Sequence, residues 1–196
     1  MKIALTGNLA GLGECLYKML LDAGHEVIGF DIQEGYDINS KDVRSNILDE
    51  SKDCDVFINN AYHRDAQARL LYKMYQQWQN EPKLIINIGA VSSDNISNFT
   101  RLGYIPFWTD YTSYKAQLDF ASLQLSDKHK KGMCRVTMLK GGFVDTSTTA
   151  GFKALPGVAD AMMQPSRFAD MAEFVINMDK DVQIRTLSFD EGNISA

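Results

Sequence analysis

Residues 2–13 read K-I-A-L-T-G-N-L-A-G-L-G. Lys2 to Thr6 is a short apolar run of strand type. From Gly11 to Ala23 apolar side chains recur at helical spacing, with Leu12, Leu16, Met19 and Leu20 on one face. Between the two stand Gly7, Gly11 and Gly13, spaced Gly-x3-Gly-x-Gly. Where a strand passes through a glycine-rich turn into a helix, bare main-chain amides and the helix N-terminus can receive a phosphate. In this arrangement Gly7 permits the tight turn, Gly11 lets backbone approach a pyrophosphate, and Gly13 lets the helix close on the strand. Asn8, Leu9 and Leu12 complete the loop.

Outward from this junction, strand-like and helix-like stretches alternate. Glu26–Phe30 reads as a second strand and Tyr36–Ile38 as a short third one. Ser40 is placed to cap a helix running to Ser51. Strands are expected at Val56–Asn59, Lys83–Ile88, Arg135–Leu139 and Arg185–Phe189, and helices at Arg64–Gln79, Tyr111–Lys128 and Ser166–Met178. The alternation predicts an α/β fold of Rossmann type, a doubly wound parallel sheet with helices on both faces, in a single domain over 1–196. Two irregular stretches, about 89–110 and 141–165, are long enough to be substrate loops. Tyr104, Phe107 and Trp108 are candidates for a pocket wall or for burial on the sheet. Leu71, Tyr75 and Trp78 form a helical stripe facing the sheet or a partner subunit.

Composition narrows the function classes. The 196 residues are 45% hydrophobic and 23% charged, with a net charge of -5. The longest basic cluster, Lys128–Lys131, suits a helix end, and a nucleic-acid groove is not expected. No run approaches the roughly 18 apolar residues of a membrane span. The opening residues carry no signal-peptide core, and Cys15, Cys54 and Cys134 show no metal-ligand spacing. A reduced, cytoplasmic protein without a metal is the expectation.

Asp31 ends the second strand, 18 residues after Gly13. A carboxylate there can accept hydrogen bonds from an adenosine ribose and would repel a 2′-phosphate, which favours NAD over NADP. Asp37 and Ile38 are placed to meet the adenine edge. Asn59, Asn60 and Ala61 line the same crevice. Tyr111 and Lys115, four apart on a helix, share one face. A tyrosine titrates near 10, and a neighbouring ammonium would favour its phenolate, as general acid/base work on an alcohol requires. Tyr114 next door has Leu118 at the corresponding position and cannot do the same.

T-G-N-L-A-G-L-G at 6–13, Asp31, Asp37–Ile38, N-N-A at 59–61, Y-T-S-Y-K at 111–115 and G-F-V-D-T at 142–146 stand in an order that resembles the short-chain dehydrogenase/reductase family, over Lys2 to about Asp190. The resemblance implies Tyr111 as general acid/base, Lys115 as the residue that holds the nicotinamide ribose and tunes Tyr111, and Thr146 as a contact near the nicotinamide carboxamide or the pyrophosphate, with Gly142 and Val144 as further cofactor contacts. It also implies a homodimer or homotetramer and a small carbonyl or alcohol substrate.

The chain departs from the family pattern at four places. Ala90 stands where the family has its serine, so Ser92, or else Ser93, is expected to supply the hydroxyl. Tyr62 replaces a glycine after N-N-A and adds bulk beside the crevice. The helix before the fifth strand lacks the family's asparagine; Gln67 is a weak stand-in for it and is read first as an ordinary surface residue. Gly141–Gly142 replaces Pro-Gly. His63 and Arg64 are read as helix-start surface residues, within reach of a substrate anion. The leading expectation is an NAD(H)-dependent oxidoreductase moving a hydride between nicotinamide and a secondary alcohol or ketone. The alternatives are a nucleotide-binding sensor or regulator without turnover, and a sugar-nucleotide epimerase or dehydratase. Little chain remains for the nucleotide-sugar domain that this last reading requires.

Overall fold

A computed structural model describes residues 1–94 and 109–190. Six strands form one sheet: β1 (Lys2–Thr6), β2 (Glu26–Phe30), β3 (Val56–Asn59), β4 (Leu84–Ala90), β5 (Arg135–Gly141) and β8 (Thr186–Phe189). Their order is β2-β1-β3-β4-β5-β8, and every neighbouring pair is parallel. Two short strands, β6 (Phe143–Val144) and β7 (Met162–Met163), pair separately.

Strands of a parallel sheet covered on both faces carry apolar residues in near-continuous runs. Alternate side chains along them divide into two cores. Ile3, Leu5, Val56, Ile58, Leu84, Ile86 and Leu139 face helix α1 (Gly11–Asp22) and helix α5 (Ser166–Ile176), against Leu16, Leu20, Phe168 and Ala172. Ala4, Phe57, Ile85, Val136 and Met138 face α2 (Lys41–Ser51), α3 (Ala66–Trp78) and α4 (Thr109–Ser126). The Leu71, Tyr75, Trp78 stripe turns to the sheet, with all three side chains buried. Ser40 caps α2, its hydroxyl accepting from the Val43 amide at 3.4 Å.

The expected strand at Tyr36–Ile38 does not form, and β2 is left as the edge. The Asp37 carboxylate accepts from the Asn39 amide at 2.9 Å, and the Ser40 amide donates to the Asp37 carbonyl. Arg44 donates to the Ile38 and Asn39 carbonyls at 2.6 and 2.9 Å. These local bonds take up groups that a ladder would use, and the segment turns into α2 instead. The stretch 141–165 also differs from a bare loop. It holds β6, β7 and two 3-10 turns, at Ala150–Ala154 and Ala159–Ala161. Tyr104, Phe107, Trp108 and most of the 89–110 loop lie outside the described residues. No helix among the described residues is long and apolar enough to cross a membrane.

The strand order reverses between β1 and β3. In open parallel sheets the crevice for a ligand opens at such a point, outside the carboxyl ends of the strands.

Candidate active site

The glycine loop opens this crevice at the end of β1. Gly7 adopts φ +73° and Gly11 φ +59°, backbone that favours glycine. A Cβ on Gly13 would fall 1.8 Å from the Gly7 carbonyl oxygen, so the bare Gly13 lets α1 pack onto the turn. The first residue before α1 is Ala10, which offers no side-chain cap. The amides at that helix end therefore lack the usual hydroxyl or carboxylate acceptor.

Neighbouring strands brace the loop. The Thr6 hydroxyl accepts from the amides of Asn60 and Ala61, each at 3.0 Å. The Asn60 side chain donates to the Thr6 and Gly7 carbonyls at 3.0 and 3.3 Å. Asn8 is buried against Gly29 of β2, and its Oδ1 has no hydrogen-bond partner among the described residues. Asp31 is buried and accepts from the Leu9 amide and the Gln33 amide, both at 3.0 Å. The carboxylate thus ties the glycine loop to β2, with accepting capacity left over. The exposed Leu9 gives its amide to Asp31, while Leu12 packs on the α1 core. The Ile38 side chain is turned into the α2–α3 core, leaving only its main chain for an adenine.

The crevice is roofed by the segment after β6. Thr148 rests on Gly11, where a Cβ would meet its hydroxyl at 2.7 Å. The hydroxyls of Thr146 and Thr148 lie 2.9 Å apart, and those of Thr146 and Thr149 lie 3.1 Å apart. Thr149 donates to the Val144 carbonyl at 2.6 Å. Val144 itself belongs to the core. The Gly142 amide donates to the Phe189 carbonyl. Its missing Cβ would fall 1.8 Å from the Asp190 carboxylate, and a Cβ on Gly141 would meet the Phe168 ring at 2.2 Å, so a side chain at either position requires a neighbour to shift.

Tyr111 and Lys115 lie on α4 facing the ends of β3 and β4. The Lys115 ammonium is buried and donates to the Gln67 Oε1 at 3.0 Å and the Ile88 carbonyl at 2.8 Å. It lies 5.6 Å from the Tyr111 ring centroid and 5.4 Å from that of Tyr62. Burial pulls its pKa down to about 7. The Tyr111 phenol is pushed up from its ordinary value, first by burial and then by Tyr62. This differs from the depressed phenol expected from the Tyr-x3-Lys spacing. Both groups are desolvated, and the Lys115 nitrogen is directed at Gln67 and a carbonyl. Tyr62 packs edge-on against Tyr111 with ring centroids 4.9 Å apart while remaining 41% exposed. The glycine-to-tyrosine departure therefore covers the pair.

Gln67 is the residue that sequence reasoning misplaced. It is 1% exposed, not a surface residue. Its Nε2 donates to the Asn59 and Ile88 carbonyls at 2.6 and 3.2 Å. Asn59 in turn donates to the Gln67 carbonyl and to Asn87, and Asn87 to Ser122. This chain of buried amides fixes Lys115 from behind. The available signal was the helical stripe itself, since Gln67 stands four residues before Leu71.

The two candidate serines differ. The Ser93 hydroxyl donates to the Ala90 carbonyl at 2.8 Å. The Ser92 hydroxyl is buried without a hydrogen-bond partner among the described residues. His63 and Arg64 precede α3. Arg64 is exposed with φ 45°, the one non-glycine residue at positive φ among those described, and the His63 Nδ1 is buried without a hydrogen-bond partner among the described residues.

Solved structures share this architecture. A 3-ketoacyl-(acyl-carrier-protein) reductase from Brucella melitensis, complexed with NADH, superposes with a TM-score of 0.75 over 96% of this chain and 95% of its own, at 16% identity. A 4-hydroxyisoleucine dehydrogenase complexed with NADH gives 0.76 over 96% of both chains, at 16% identity. The chain has the short-chain dehydrogenase/reductase fold. A serine dehydrogenase complexed with NADP+ extends the likeness over 100% of this chain and 99% of its own, at 19% identity and a TM-score of 0.70. No family model matches the chain, and no curated protein matches its sequence. The dehydrogenase fold therefore accounts for the order β1, glycine loop, α1 and for the placing of α4 beside β4.

Proposed function

We propose that this chain is a nicotinamide-dinucleotide-dependent oxidoreductase acting on a secondary alcohol or ketone. The observation that carries the reading is a convergence. The glycine loop, with its uncapped helix end, stands at the carboxyl end of β1, and Lys115, beside Tyr111, is hydrogen-bonded to Ile88 near the carboxyl end of β4.

The residues present fit a dinucleotide. The bare turn at Gly7, Gly11 and Gly13 and the hydroxyls of Thr146 and Thr148 offer donors to a pyrophosphate. The unpartnered Asn8 Oδ1 and the remaining capacity of Asp31 offer acceptors to ribose hydroxyls. A carboxylate at Asp31 favours NAD(H), since a 2′-phosphate would meet a like charge and the glycine loop holds no cation to offset it.

The nicotinamide would supply or accept the hydride. Tyr111, kept protonated by burial, is equipped to donate a proton to a ketone oxygen as the hydride reaches the carbon. Lys115, held by Gln67 and Ile88, would restore that proton and grip a ribose hydroxyl. The unpaired Ser92 hydroxyl would hold the reacting oxygen. The test is Tyr111→Phe, assayed with NADH over a panel of small ketones. A loss of about 10²–10⁴ in kcat with unchanged NADH affinity is expected, and full turnover with every active substrate overturns the assignment.

A second reading, a dinucleotide-binding regulator, is favoured by one observation: Tyr62 lies across Tyr111 and Lys115. NADH binding with no turnover across ketones and alcohols, in both the wild type and Tyr62→Ala, would establish it.

A further inference from the structure

Lys140 sits inside β5 between Leu139 and Gly141, and its side chain is 4% exposed. Gly89 of β4 is its register partner, and the absence of a side chain there makes room: a Cβ would stand 3.2 Å from the Lys140 Cγ. The ammonium binds two carboxylates from two different elements. One is Asp94 at 2.5 Å, the last residue of the 3-10 turn Val91–Asp94 that follows β4. The other is Asp119 at 2.7 Å, on α4. Tyr111, Lys115 and Asp119 succeed each other at four-residue steps along one face of that helix.

A charge removed from water is held only where partners compensate it. The two carboxylates do so, and in doing so they are fixed to one point on β5. The turn that ends in Asp94 carries Ser92 and is closed at its other end by the Ser93 bond to the Ala90 carbonyl. We infer that Lys140 is a positioning residue: through Asp94 and Asp119 it sets the turn bearing Ser92 against the helix bearing Tyr111. The departure at Ala90 gives this device its purpose. The hydroxyl comes from a turn beyond the strand rather than from the strand itself, and a turn needs an anchor that a strand does not.

The inference rests on the proposed role of Ser92 and Tyr111, and its test separates the two. Lys140→Met strands two carboxylates and could fail to fold. Asp94→Ala, at a partly exposed side chain, leaves Lys140 paired with Asp119. Hydrogen–deuterium exchange of the unliganded protein is read at Val91–Asp94 and at α4. Asp94→Ala is expected to speed exchange in the turn and leave α4 unchanged; an unmoved turn overturns the anchor whatever the chemistry. With NADH and a small ketone that the wild type reduces, Asp94→Ala is expected to lower kcat by up to about 10²-fold, with NADH affinity unchanged. In a Ser92→Ala background the same substitution should cause no further loss. Losses that simply multiply would overturn the positioning of Ser92. Should Ser92→Ala itself cost nothing while the turn loosens, the role of Ser92 in the reaction falls and the anchor stands.

Discussion

The Gln67 carboxamide oxygen accepts a hydrogen bond from the Lys115 ammonium at 3.0 Å, with both residues buried. The same carboxamide donates to the Asn59 and Ile88 carbonyls. Replacing Gln67 by Leu removes an acceptor from a buried cation and a donor from two carbonyls. Urea denaturation of Gln67→Leu is expected to show a loss of about 1–3 kcal/mol, with kcat falling as Lys115 loses its direction. Unchanged stability would mean that the amide network does not hold Lys115.

Burial brings Lys115 to about 7 from 10.5. Between those values the unfolded chain binds more protons than the folded one, so stability rises with pH over that range. Below pH 7 the whole cost of burying the ammonium opposes folding. The contribution is at most about 1.4 kcal/mol per pH unit. From about pH 9 upward the raised thiols of Cys15, Cys54 and Cys134 and the raised phenol of Tyr111 act in the opposite sense. Unfolding free energies at pH 7, 8 and 9 should therefore climb for the wild type and stay flatter for Lys115→Met. Parallel profiles would remove Lys115 as the cause.

Gly13 has no room for a methyl group, with the Gly7 carbonyl 1.8 Å from an added Cβ. Gly13→Ala should destabilise the chain by about 1–3 kcal/mol and abolish NADH binding measured by fluorescence titration. Gly151, whose added Cβ meets nothing within 4 Å, is the control; Gly151→Ala should stay within about 0.5 kcal/mol of the wild type.

Tyr62 contributes an edge-to-face contact with Tyr111, worth about 0.5–1.5 kcal/mol. Tyr62→Ala should lower the melting temperature and tighten NADH binding, by up to about tenfold if that contact must break first. Weaker binding would instead make Tyr62 a wall that the nucleotide leans on.

The frame of the molecule was legible where its signals are local. Near-continuous apolar runs and the stripe of α1 follow directly from burial on a parallel sheet covered on both faces, and three glycines between them mark the junction. The same local logic misled at Tyr36–Ile38, which reads as strand although Arg44, the fourth residue of the next helix, captures the Ile38 and Asn39 carbonyls. Gln67 and Lys140 were hidden for a different reason. Their roles are set by contacts with Lys115 and with Asp94 and Asp119, far away in the chain, and no periodicity encodes a partner that only the folded sheet brings near. Ser92 and Ser93 are adjacent in the sequence, and only the folded turn tells them apart: Ser93 donates to the Ala90 carbonyl, and Ser92 is buried with no hydrogen-bond partner among the described residues.

Thr148 rests against Gly11, so the segment after β6 leans on the glycine loop. A dinucleotide seated on that loop, as proposed, would pass beneath this contact, and loading it would require the two to part. In stopped-flow mixing, the observed rate of nucleotide uptake should accordingly level off as concentration rises, its plateau reporting the spontaneous opening, and trimming the roof with Thr148→Gly should lift that ceiling.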